Sequence, residues 1–286
     1  MYSFFVISMK DDLNKRKRIK EMLGTKHDLR IVDAVTVKDV KEDYSKTFIG
    51  PTPIACAIFR SHLKALEMFL DDPRHLKGAF ICEDDVVFNN RFDEKSKVYV
   101  DNIKGDMVVL FGCGFCKEEN NDIVSRGIMK SAKHLLYYKK NSQLKEPERK
   151  DLFKRPEAGV GSHCYYVTRQ SAIKILEYFS NNVRDHYDIA LMKHPNINIF
   201  VTKDLFAGQN FIGNGSYNKK ELLPAPINSY LESVRFDTDN QVSASFVLNS
   251  GYFYIRDLDL IITWLHIVIF ILFLLILGIT VFVVSR

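Results

Sequence analysis

Cysteine is scarce in this chain and odd in number: five among 286 residues, at positions 56, 82, 113, 116 and 164. An odd count in a large chain argues against a disulfide framework and for free thiols in a reducing compartment. No secretory leader is expected, since it would need a basic start, an apolar stretch of about 7 to 15 residues and a small-residue cleavage site. Tyr2 to Ser8 (YSFFVIS) is too short and runs straight into Lys10-Asp11-Asp12, as a buried first strand does. Nor is there a large excess of one charge. Forty Lys plus Arg against 35 Asp plus Glu leave +5, short of the basic stripe of a nucleic-acid binder, so no nucleic-acid partner is expected. There is no internal repeat. A hydrophobic content of 47% excludes a disordered chain.

The longest absence is of Asp, Glu, Lys and Arg between Leu260 and Val284, 25 residues in all. A helix needs roughly 20 apolar residues to cross a bilayer, and this run reads as a transmembrane helix, assigned to residues 258 to 284. Trp264, preceded by Tyr252-Phe253-Tyr254, resembles an interfacial aromatic belt. The expectation is a single-pass membrane protein with a C-terminal tail anchor and its globular part on the cytosolic side. A buried core helix is the alternative. His266 has no second ionisable group in the span to form a proton relay with. In a cytosolic domain the sequon Asn214-Gly215-Ser216 would be silent.

Ahead of the anchor, strands and helices alternate. Strands are expected at Tyr2 to Ser8, Leu29 to Val35, Gly78 to Cys82, Asp106 to Phe111, Ser162 to Thr168 and Ile197 to Val201. Helices are expected at Asn14 to Leu23, Pro53 to Leu70 with Thr52 as N-cap, Gln170 to Phe179 and Tyr187 to Lys193. This alternation indicates an α/β sheet. Residues 113 to 161 lose periodicity and read as a long functional loop. Residues 213 to 257, with Pro224, Pro226 and many Ser and Asn, read as a stem with a weak strand or two.

Glu83-Asp84-Asp85 follows the apolar strand Gly78 to Cys82, and ligands of α/β sheets bind at the carboxyl edge. In an extended strand end, Glu83 and Asp85 share one side and Asp84 takes the other. A pair of them suits a hard divalent cation shared with a diphosphate, which the metal would neutralise as its bond to a sugar breaks. A solvated turn or helix cap is the plainer reading of three acids.

Several blocks together resemble glycosyltransferase family 25. They are Val6-Ile7-Ser8-Met9 with Arg16 and Arg18, Asp33-Ala34-Val35, Ser61-His62-Leu63, and Ile81-Cys82-Glu83-Asp84-Asp85-Val86. Val109-Leu110-Phe111-Gly112, Tyr165-Tyr166-Val167-Thr168 with Ala172, Asp188 and Gln209 continue the series, which covers residues 1 to about 212. That family includes bacterial lipooligosaccharide and collagen hydroxylysine galactosyltransferases. The resemblance implies a GT-A, Rossmann-like nucleotide-sugar domain over residues 1 to 212, a UDP-sugar donor, and Mn²⁺ or Mg²⁺ at Glu83, Asp84 and Asp85. It implies further that Ser8 with Arg16 or Arg18 faces the nucleotide and that Ser61 and His62 line the donor site. Where family members tend to carry Gly-Glu-x-Gly-Cys before Ser-His, this chain has Thr52-Pro53-Ile54-Ala55-Cys56 and a longer gap.

An inverting transfer needs a base for the acceptor hydroxyl. By its place in the family pattern Asp188 is the first choice and His163 the second; a first-turn helix acid is the plainer reading of Asp188. Ser61 and His62, adjacent on a helix, cannot face each other as nucleophile and base, which argues against a hydrolase. Cys113-Gly114-Phe115-Cys116 after a strand resembles a thioredoxin redox site, but the acidic and amide-rich Glu118 to Asp122 is a poor start for the helix such a site needs. No second Cys-x-x-Cys completes a zinc site. Lys15-Arg16-Lys17-Arg18 with Lys20 reads as a solvated helix surface, or as attraction to an anionic membrane. The expected activity is transfer of a hexose, galactose or glucose, from a UDP-sugar to a hydroxyl of a glycan or glycoprotein. A tethered glycan- or nucleotide-binding module without catalysis, and a Cys113/Cys116 oxidoreductase, are the alternatives.

Overall fold

The computed structural model describes residues 1–40, 49–50, 53–112, 147–154, 162–180, 186–204, 206–209, 226, 230, 235–237, 242–243, 251–255 and 260–284. The expected loop thus falls largely, and Cys113 and Cys116 wholly, outside the described residues.

Ser3–Ser8 (β1) and Gly78–Glu83 (β4) are almost wholly buried along both faces, as strands covered on two sides must be. Successive side chains part company: Phe5 and Ile7 enter one core with Ala79 and Ile81, while Phe4 and Val6 enter the other with Phe80 and Cys82. The first core is roofed by Pro53–Leu70 (α2), Arg169–Phe179 (α4) and Tyr187–Met192 (α5). The second is closed by Leu13–Leu23 (α1) and Phe92–Asp101 (α3), through Ile19, Leu23, Phe92 and Tyr99.

The chain is therefore a three-layer α/β domain on a mixed seven-stranded sheet of order β2-β1-β4-β8-β6-β9-β7. Its other strands are Asp28–Asp33 (β2), Met107–Leu110 (β6), Phe153–Lys154 (β7), Cys164–Thr168 (β8) and Asn198–Thr202 (β9). Strands β1/β2, β1/β4 and β6/β9 run parallel; β4/β8, β6/β8 and β7/β9 run antiparallel. The chain passes from β1 over one face through α1 to β2, then over the other face through α2 to β4, on the far side of β1. The carboxyl end between β1 and β4 is therefore a topological switch point, where open α/β sheets form their binding crevice. Because β8 runs the other way, its leading residues Ser162 and His163 arrive at the same edge.

Sequence patterning misses the short Val86–Phe88 (β5), which pairs with Ala207–Gln209 (β10), and it misses α3. Beyond the sheet, Arg235–Asp237 (β11) pairs with Val242–Ser243 (β12), and Ile49–Gly50 (β3) joins Gly251–Ile255 (β13) and Leu260–Thr263 (β14). The C-terminal helix differs from expectation at its start. It spans Trp264–Val284 (α6), and Leu260–Thr263 is taken by β14, so the uncharged run is divided between a strand and a helix. From Val268 to Ile279 the large apolar side chains of α6 are exposed. Among the described residues no helix is long and apolar enough to cross a membrane.

Candidate active site

Two polar clusters meet at the switch point. The first is built on α1. Asp12 caps it by accepting the Lys15 N–H at 3.1 Å, and the Lys15 side chain is buried at the end of β4. Lys15 Nζ lies 3.3 Å from Asp84 Oδ1 and 3.8 Å from Asp12 Oδ2. Burial works against its charge, but Asp84 and its acidic neighbours more than offset that and raise the ammonium pKa.

Arg16 and Arg18 brace the same edge. The Arg16 guanidinium donates to the carbonyls of Ser8 and Met9, each at 3.0 Å, and to Asp33 at the end of β2, whose carboxyl it holds below the usual range. Arg18 donates to the carbonyl of Val86 at 2.9 Å and to that of Asp84. Both arginines thus use donors to hold the ends of β1, β2 and β4, while Ser8 is buried beneath them.

The second cluster lies on the α2 side. His62, fully buried on α2, stacks on the Tyr187 ring at 4.2 Å and 1°. Its Nε2 is 3.4 Å from Glu83 Oε1 and 3.3 Å from Ser162 Oγ; its Nδ1 is 3.3 Å from the Tyr165 hydroxyl, itself 3.0 Å from that of Tyr187. Burial pushes the Glu83 carboxyl up to about 7, helped by the nearby charges of Asp188 and Asp84. Burial also drives the His62 imidazole down to about 3, against a small opposing pull from Asp188. Asp188 stands in the first turn of α5, its Oδ1 accepting the Ile189 N–H at 2.9 Å. Asp188, distant in sequence from Glu83 and His62, is close enough here to act on the protonation of both.

Other candidates have different surroundings. Ser61, one residue from His62, accepts the Val35 N–H at 2.8 Å and donates to the Ala57 carbonyl at 2.8 Å, so it ties the segment after β2 to α2. His163 is buried and packs where a Cβ on Gly112 would lie 2.2 Å from its Nε2; burial holds its imidazole at about 4. That makes it a packing group behind the edge.

The acidic triplet corrects the sequence reading. Strand β4 ends at Glu83, so Asp84 and Asp85 lie in a turn and the expected alternation stops. Glu83 goes to His62 and Ser162, while Asp84 goes to Lys15. Among the described residues no group of three or more His, Cys, Asp or Glu side chains is disposed to hold a metal ion. Glu83 and Asp84 are thus each turned to a different partner and do not converge on one point. Sequence reasoning missed Lys15, Ser162, Tyr165 and Tyr187 as site residues. Lys15 was hidden in a basic run, and the tyrosines read as strand and helix core.

An α/β domain with acids and bases gathered at the switch point of its sheet is the class of structure that binds ligands in a crevice at the carboxyl edge. Residues 1–191 match the model of glycosyltransferase family 25 (LPS biosynthesis protein), and the chain belongs to that family of enzymes. A nucleotide-sugar donor and an acceptor are implied by the family. No curated protein sequence matches the chain. Similar solved structures include A197 from STIV, 15% identical over 73% of this chain and 85% of that one, with a TM-score of 0.38. Another is the apo form of mouse xyloside xylosyltransferase 1, 11% identical over 70% and 71%, with a TM-score of 0.32.

Proposed function

We propose that this enzyme has a GT-A type domain that transfers a hexose, galactose or glucose, from a UDP-sugar to a hydroxyl of a glycan or glycoprotein, with inversion. The observation that carries this reading is the convergence of Lys15, Glu83, His62 and Asp188 at one end of the β1/β4 crevice. The donor diphosphate lies against Lys15, whose ammonium offsets the charge that develops as the sugar leaves. Ser8 and Asp33, at the ends of β1 and β2, flank the nucleoside. Glu83 contacts hydroxyls of the transferred hexose. Asp188, on the α5 side, takes the proton of the acceptor hydroxyl as that oxygen attacks the anomeric carbon and the bond to the diphosphate breaks.

The test is UDP release from UDP-galactose and UDP-glucose by the full-length protein in detergent, with UDP affinity measured by calorimetry in EDTA and in Mn²⁺. Asp188→Asn is expected to keep UDP binding and lose turnover by about a hundredfold or more. Absence of both UDP binding and turnover in the wild-type protein would sink the proposal.

We also propose that the C-terminal segment anchors the protein as a single-pass tail, with the catalytic domain on the cytosolic side. The uncharged run Leu260 to Val284 and the exposed apolar side chains of α6 support the anchoring. Flotation with liposomes tests it. A chain ending at Thr263, which keeps β14, should stay behind while the full chain floats.

A further inference from the structure

We infer that His62 is a positioning residue for Glu83, locked in one orientation by the hydroxyls of Tyr165 and Tyr187. The inference rests on the reading of this edge as the transfer site.

A polar core of this kind is costly. His62, Tyr165 and Tyr187 are each at most 2% exposed, among the packed side chains of α2, β8 and α5. Phe or Leu would fill that volume without desolvating a ring nitrogen or hydroxyl, and each such group left unsatisfied costs free energy. Here the groups are used in series. Tyr187 and Tyr165 hydroxyls are 3.0 Å apart, Tyr165 reaches His62 Nδ1 at 3.3 Å, and His62 Nε2 reaches Glu83 Oε1 at 3.4 Å and Ser162 Oγ at 3.3 Å. A neutral imidazole donates from one nitrogen and accepts at the other. With the Tyr165 O–H donating to Nδ1, the proton sits on Nε2 and is directed to the Ser162 Oγ, and Ser162 in turn donates to Glu83 Oε1 at 3.4 Å, so that His62 holds Glu83 through this hydroxyl.

The ring cannot turn away, because its face lies parallel to Tyr187 at 4.2 Å. Of the linked side chains only Glu83 opens outward, its side chain 25% exposed. The series therefore fixes one carboxyl oxygen from behind and leaves the other end of the group to the crevice. A carboxyl aimed in this way meets the sugar without first giving up rotational freedom.

The experiment combines spectra with kinetics. In the full-length protein in detergent, labelled with ¹⁵N-histidine, Tyr165→Phe should move the His62 Nδ1 resonance and Glu83→Gln the Nε2 resonance. In turnover of UDP-galactose or UDP-glucose, His62→Leu should lower kcat by about a hundredfold with KM for the donor little changed. His62→Gln, whose amide N–H reaches the place of Nε2, should recover about tenfold of that. A merely structural histidine gives a different result: Gln no better than Leu, with the loss following a lowered Tm. Equal activity of the Gln and Leu variants, or a Nε2 signal indifferent to Glu83→Gln, would overturn the inference. If the wild-type protein turns over neither donor, the proposed transfer falls, and the resonances alone decide the link from His62 to Glu83.

Discussion

Lys15 and Asp84 form an ion pair with Nζ and Oδ1 3.3 Å apart and with only 9% and 11% of their side chains exposed. Such a pair is held by mutual need: removing one partner strands the other charge away from water, at about 3 to 5 kcal/mol, whereas removing both costs far less. Lys15→Met is therefore expected to destabilise the protein by about 3 kcal/mol, and Lys15→Met with Asp84→Asn to recover most of it. Urea unfolding of the two single variants and the double variant reads the coupling. Additive losses would mean that the two charges do not depend on each other. The single Lys15 variant should also lose about tenfold in UDP affinity in EDTA, because the diphosphate loses a facing cation.

Ser61 separates anchoring from chemistry. Its hydroxyl accepts from Val35 N–H and donates to the Ala57 carbonyl, each at 2.8 Å, in a nearly closed site. Ser61→Ala leaves the Val35 N–H without that acceptor and should cost about 1 to 3 kcal/mol of stability. Below the unfolding temperature, turnover should change by less than about twofold, since the hydroxyl is committed to backbone. A large rise in KM for the donor at unchanged stability would instead put Ser61 in the donor site.

These two residues show what was legible in the sequence. The run VISM and the apolar strand before Glu83 announce buried parallel strands, and Thr52-Pro53 marks the start of α2, because local periodicity and caps act within a few residues. The edge itself was also legible, as acids after an apolar strand. Which side each acid takes was not, because it depends on where β4 stops and on partners brought by α1 and β8. Lys15 looks like its basic neighbours in the sequence, and only its pairing with Asp84 sets it apart. Tyr165 and Tyr187 read as core because a buried tyrosine ring packs like phenylalanine, and only its partners show why the hydroxyl is kept. In the same way the uncharged C-terminal run had the right length for a single helix, but pairing of Leu260–Thr263 with β13 moved the helix start to Trp264.

Gly112 ends the run Val109-Leu110-Phe111-Gly112 behind the site, and a Cβ there would lie 2.2 Å from His163 Nε2 and 2.4 Å from the Ala207 carbonyl oxygen. The imidazole could shift, but Ala207 belongs to β10 and its backbone is held by pairing with Phe88. Gly112→Ala should therefore destabilise the protein by about 1 to 3 kcal/mol. Adding His163→Ala should restore only part of that loss, because the clash with Ala207 remains. Thermal unfolding of both variants checks this, and full restoration by the second substitution would show that the histidine alone made the position tight.

His163 also sets a direction for stability against pH. Burial holds its imidazole at about 4, below the 6.5 of an exposed histidine. As pH falls through 6.5 the unfolded chain takes up a proton that the folded chain refuses until about 4, so stability is lost across that window. At about 1.4 kcal/mol per unit, this group contributes a loss of about 3 kcal/mol at most. Asp72 acts in the same direction at lower pH. Its carboxylate, held well below the usual range by bonds from Arg74, keeps its contribution above the ordinary carboxylate pKa and loses it as acid protonates the group. Glu83 opposes both: its carboxyl is raised to about 7, so its share of stability is complete at low pH and is lost as pH rises through 7. The groups are separated by comparing slopes. In denaturant midpoints measured from pH 4 to 8, His163→Gln should flatten the fall between 6.5 and 4, whatever its effect on absolute stability, and Glu83→Gln should steepen it, because the opposing loss of the Glu83 share between about 4.5 and 7 is removed. An unchanged acid slope in the His163 variant would show that the imidazole is protonated as readily folded as unfolded.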